Sequence, residues 1–115
     1  MRIMGFTQNW EKLRRETFTT FRFERKDQDW NIDEIVAIKI KPRSKGGGTF
    51  LGTAKIVNKE NRDGGNFITD KEAVADGFKD KTDMWKWMLK SHRSEQLVRP
   101  LNKLTLERID GFIIY

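Results

Sequence analysis

Thr20 and Arg22 stand two residues apart in the stretch LRRETFTTFRFERK, residues 13–26. On a β-strand over residues 19–25, a period of two puts Thr20, Arg22 and Glu24 on one face and Phe21 and Phe23 on the other. One face can build a core, while the other offers a hydroxyl, a guanidinium and a carboxylate. Two chemistries are open to that polar face. In the first, Thr20 is a nucleophile or positioning hydroxyl, Arg22 stabilises developing negative charge, and Glu24, Glu16 or Asp76 is the base. In the second, Arg14 and Arg15 upstream and Arg25 and Lys26 downstream complete a basic surround that receives a phosphate backbone or another anion.

Composition removes several alternatives. The chain has no cysteine, which excludes disulfides, thiolate metal sites and cysteine nucleophiles, and its one histidine, His92, excludes a multi-histidine metal site. Neither a metal nor a cofactor is expected. Lysine and arginine number 23 against 17 aspartates and glutamates, a net charge of +6 that suits a polyanionic partner and equally suits plain solubility. No apolar run approaches the ~20 residues that span a bilayer, and the first ten residues lack a signal-type apolar stretch. The expectation is a soluble, cytoplasmic, monomeric protein without membrane contact. Its 115 residues fit a single domain.

The elements that must position these groups follow from periodicity and punctuation. Residues 3–6 suit a first strand, and Thr7 or Asn9 can cap a helix over 10–15 in which Trp10 and Leu13 share a face. Trp10 reads as core more readily than as a base-stacking ring. A strand over 35–41 sets Val36, Ile38 and Ile40 against Ala37, Lys39 and Lys41, so that Lys39 and Lys41 form a basic row, facing a ligand or guarding a sheet edge. The loop PRSKGGG at 42–48 adds Arg43 and Lys45 but lacks the Gly-Lys-Ser/Thr of a phosphate-binding loop. Gly52, inside a strand over 49–58, predicts a bulge that curls the sheet. Thr69 or Asp70 caps a helix to about residue 75, Gly77 ends it, and a second helix over 81–93 carries Met84, Trp85, Met88 and Leu89 as a core stripe or a partner groove. His92 then caps the end of that helix, and strands over 101–109 and 112–115 close the chain.

This order resembles the ASCH domain, a small β-barrel related to the PUA domain. The resemblance is carried by Leu13, the Thr20-Phe21-Arg22 step, Trp30 followed by Ile32-Asp33-Glu34-Ile35-Val36, Leu51-Gly52-Thr53-Ala54, and Asp76-Gly77-Phe78 before the Met84 helix. It implies an α+β fold, a PUA-like barrel with flanking helices, and a cleft lined by the Thr-x-Arg strand that takes RNA, another nucleic acid or a nucleoside-like ligand. Some relatives are similar to nucleoside amidohydrolases, with a lysine, a threonine and a glutamate in the cleft, or to ribonucleases. Thr20 matches the nucleophile and Arg22 the family arginine. Where such relatives carry Gly-Lys-Lys or Gly-Arg-Lys, the chain has Arg15-Glu16-Thr17, so Thr17 replaces the lysine base. A one-residue gap would instead put Glu16 there, and Asp76 is the nearest acidic partner. With that lysine unmatched, a nucleic-acid-binding module is the leading expectation. A hydrolase acting on RNA or a modified nucleoside is the alternative.

Overall fold

Alternation of apolar and polar residues makes sheet, and five strands form where it is strongest. The computed structural model describes residues 1–7, 10–41, 46–62, 68–91 and 99–109. The strands are β1 (Arg2–Phe6), β2 (Thr17–Phe23), β3 (Ile35–Ile40), β4 (Thr49–Arg62) and β5 (Leu101–Arg108). A 3-10 turn, Glu11–Arg14, joins β1 to β2, and two helices, α1 (Asp70–Ala75) and α2 (Lys81–Ser91), lie between β4 and β5. The result is an α+β domain.

The strands form one sheet in the order β1-β3-β4-β5-β2. β1 runs parallel to β3, and the other pairings are antiparallel. The first two strands of the chain therefore occupy opposite edges. The sheet curls into a half-barrel, and across its open seam Arg22 Nη2 on β2 donates to the Gly5 carbonyl on β1 at 2.7 Å. A side chain bridges the two edges where no backbone ladder does. The curl has local causes in β4. Its register slips opposite Ile38/Lys39, beside Gly52 with φ of 142°, and slips again between Ile56 and Asn58. Each extra residue bends the strand and adds twist, as Gly52 predicts.

Two cores share β2. Inside the curl, Met4, Phe18, Ile38, Ile56 and Leu104 pack around Leu13 and Trp30. Outside it, Phe21, Phe23 and Leu101 pack under Ile68, Ala73, Met84 and Met88. Met84 and Met88 of the expected stripe are thus core, with Trp85 partly buried against them, while Leu89 is exposed. The polar face of β2 turns into the barrel, because the helices already cover its aromatic face.

Three boundaries differ from the sequence reading. The helix expected over 10–15 is one 3-10 turn, which gives way to extended backbone at Arg15 before the β-branched run of β2. β2 itself spans 17–23, leaving Glu24 and Arg25 beyond the strand. β4 runs on to Arg62 because residues 59–62 pair with Leu101–Leu104 of β5. Thr69 caps α1 through a capping box with Glu72. No described helix is long and apolar enough to cross a membrane. The Asn9 cap, Arg43 and Lys45, His92 and the strand over 112–115 lie outside the described residues.

Candidate functional site

Where the 3-10 turn meets the end of α1, the chain buries an ion pair. Lys12 Nζ lies 2.5 Å from Asp76 Oδ1, and the two side chains are only 4% and 7% exposed. Local structure delivers both groups. In the turn, the Leu13 N–H donates to the Trp10 carbonyl and the Arg15 N–H to that of Lys12, so Leu13 enters the barrel core while Lys12 points at α1. Asp76 is the residue on which α1 ends. The Gly77 and Phe78 N–H groups bond back to the Val74 and Ala73 carbonyls, the glycine-dependent motif that terminates a helix in a fixed geometry.

Arg22 completes the cluster. It projects inward from β2, and its guanidinium carbon lies 4.6 Å from the centre of the Phe6 ring, with Lys12 Nζ 5.5 Å from the same ring. Two cations thus share an aromatic floor, an arrangement that the ring quadrupole favours. Among the described residues the Gly5 carbonyl is the only hydrogen-bond partner of the guanidinium, which leaves its other N–H groups for a ligand. Thr20 stands on the same inward face, one pleat earlier, and is 4% exposed.

Burial governs the charges here. It lowers the Lys12 pKa, against the pull of Asp76, and Arg22 lowers it further. Burial also raises the Asp76 pKa, against the pull of Lys12 and Arg22. Both partners move toward their neutral forms, so desolvation outweighs the attraction between them. Arg22 is drawn down to about 10 by burial, with Asp76 opposing, and stays protonated at neutral pH. Wherever the proton of the pair sits, the three groups together carry one positive charge. A lysine whose pKa is lowered by burial, a hydroxyl and a fixed cation are residue types that nucleophilic acyl transfer uses.

No known protein family, curated protein or solved structure matches the chain. Its chemistry must be read from its own side chains.

The described cations expected around β2 stand at different places along and beside the strand. Arg14 and Arg15 are exposed at its start, and Arg25 and Lys26 are exposed beyond its end. Arg25 binds Asp27 through Nε and Nη2 at 3.1 and 3.0 Å and lies over Trp30. Lys39 alternates with buried Ile38 and Ile40 and stands on the outer face of the sheet; Lys41 is exposed at the end of β3, with φ of 49°. Glu16 is exposed before β2, about 13 Å of extended chain from Thr20. Asp76, by contrast, is central to the cluster. Among the described residues, no group of His, Cys, Asp and Glu gathers as a metal would require.

Lys12 escaped the sequence reading. On a 3.6-residue helix it falls off the Trp10–Leu13 face and reads as a solvated lysine. Its burial comes from the covering of two sides of a single turn, one by the barrel and one by α1. No local signal marks that.

Proposed function

We propose that the buried cluster of Lys12, Asp76, Arg22 and Thr20 is the active site of a hydrolase that cleaves an amide on a nucleoside-like substrate, in a PUA-like domain of ASCH type. The observation that carries this reading is the buried Lys12–Asp76 pair beside Arg22, which shares the inward face of β2 with Thr20. It supplies the lysine that the ungapped comparison with the ASCH pattern leaves unmatched, from a position five residues before Thr17. In this reading neutral Lys12 takes the Thr20 hydroxyl proton as Oγ attacks the amide carbonyl carbon, and Arg22 donates hydrogen bonds to the resulting oxyanion. Collapse breaks the C–N bond, the proton on Lys12 passes to the leaving nitrogen, and water then hydrolyses the Thr20 ester. Asp76 holds Lys12 in place.

A second reading, a nucleic-acid-binding module, draws on the exposed Arg14, Arg15 and Lys26 at the two ends of β2. One experiment separates the two. The protein is incubated with a nucleoside bearing an exocyclic N-acyl group and, separately, with labelled single-stranded RNA at two salt concentrations. Release of the acyl group that Thr20→Ala and Lys12→Met abolish supports the hydrolase. No release, with a salt-sensitive RNA shift, hands the function to the binding module.

A further inference from the structure

Lys12 and Asp76 are presented by elements too short to hold themselves in place. The turn has four residues and α1 has six, both well below the ~12–15 at which a helix in water becomes marginally stable. The side chain that joins them is the indole of Trp10. Gly77, next to Asp76, has φ of +104°, and a Cβ built there would stand 2.8 Å from Trp10 Cε3 and 3.2 Å from Cζ3. The six-membered ring of the indole therefore lies directly on bare backbone. Trp10 also packs against Phe78 and Trp87, with ring centres 5.1 and 6.2 Å away. The carbonyl of the same residue accepts the Leu13 N–H and so starts the turn that carries Lys12.

We infer that Trp10 is a positioning residue of this site, which holds Lys12 against Asp76 by seating its ring on Gly77. The functional consequence rests on the hydrolase reading; the positioning rests on geometry alone. The charged groups facing Lys12 are Asp76 from the end of α1 and Arg22 from β2, and β1 contributes the Phe6 ring. Loss of the indole leaves all of these in the chain but frees the turn. Water then reaches the ammonium, and Lys12 titrates closer to an ordinary lysine.

The test reads Lys12 without any substrate. Modification by acetic anhydride is followed as a function of pH by peptide mass spectrometry in the wild type, Trp10→Leu and Trp87→Leu. The wild-type midpoint at Lys12 is expected below the ordinary lysine value, and Trp10→Leu moves it upward. At neutral pH, modification as a fraction of its plateau falls about tenfold for each unit of that movement. Trp87→Leu removes a ring from the same cluster, but one that is not among the nearest neighbours of Gly77, and leaves the midpoint in place. An unmoved midpoint in Trp10→Leu, or an equal movement in Trp87→Leu, overturns the inference. Should Trp10→Leu fail to fold, Trp10→Phe, which keeps a six-membered ring, must retain the wild-type midpoint, and Gly77→Ala must raise it. A wild type inactive on every acylated nucleoside would remove the hydrolase reading and leave this result standing.

Discussion

Removing either partner of the Lys12–Asp76 pair strands the other, but the two removals differ. Breaking a buried pair from one side costs about 3–5 kcal/mol. In Lys12→Met the Asp76 carboxyl keeps Arg22 nearby and can take up a proton, so the loss falls at the lower end of that range. In Asp76→Leu, Lys12 and Arg22 are left near the same Phe6 ring without the Asp76 carboxylate to offset them, and the loss is larger. The double variant, apolar at both positions, recovers most of it. Urea unfolding at constant m-value measures all three, and equal losses in the two single variants would show that Arg22 does not compensate Asp76. A second residue-scale prediction concerns Glu72, which receives Arg62 Nη1 at 2.7 Å and Nη2 at 2.6 Å, and Lys103 Nζ at 2.7 Å. Arg62 first, with Lys103 and the Thr69 N–H, holds its pKa well below the ordinary 4.5, against its own desolvation. Because the folded value lies below the unfolded one, this stabilisation is complete above 4.5 and is lost as pH falls below it. Glu72→Gln should therefore flatten the acid limb of the stability curve while changing its alkaline side little, as stability measured across pH will show.

At the scale of elements, the least self-sufficient pieces carry the site. α1 stands on its two ends: the Thr69–Glu72 box at the start and the Gly77 motif at the finish. Thr69→Ala should cost about 1 kcal/mol, the usual worth of an N-cap. Gly77→Ala should cost more, because a left-handed conformation is itself worth about 1–2 kcal/mol to a residue with a Cβ, and that Cβ meets Trp10. The order of the two losses in chemical unfolding is the check, and a smaller loss for Gly77→Ala would mean that the ring moves aside freely. β2 carries a related lesson. Its alternation was legible, with Phe21 and Phe23 on one side and Thr20 and Arg22 on the other. That both sides would be covered was not, because the helices on one face and the curl on the other come from residues far along the chain.

For the whole molecule, the described cations around β2 stand at different places: Arg22 inside the barrel, Arg14 and Arg15 at one end of the strand, Lys26 past the other, and Lys39 on the outer face of β3. If RNA binds, replacing Arg14, Arg15 and Lys26 by alanine should reduce the salt slope of affinity by about one per lost phosphate contact and leave acyl release unchanged. Arg22→Ala should do the reverse, and a mobility-shift titration run beside the hydrolysis assay reads both. What the sequence by itself determined is what neighbouring residues encode: alternation for the strands, Thr69 or Asp70 and Gly77 as the limits of α1, Gly52 as a bulge, and a chemistry without thiols. Each depends on backbone preferences that act over a few residues. Only the tertiary structure decided the parallel pairing of β1 with β3, the approach of the β1 and β2 edges, and the meeting of Lys12 with a carboxylate 64 residues away. The physical reason is that burying a lysine is unfavourable in every local context and becomes tolerable only when a distant partner arrives, so nothing in the residues around Lys12 could announce it.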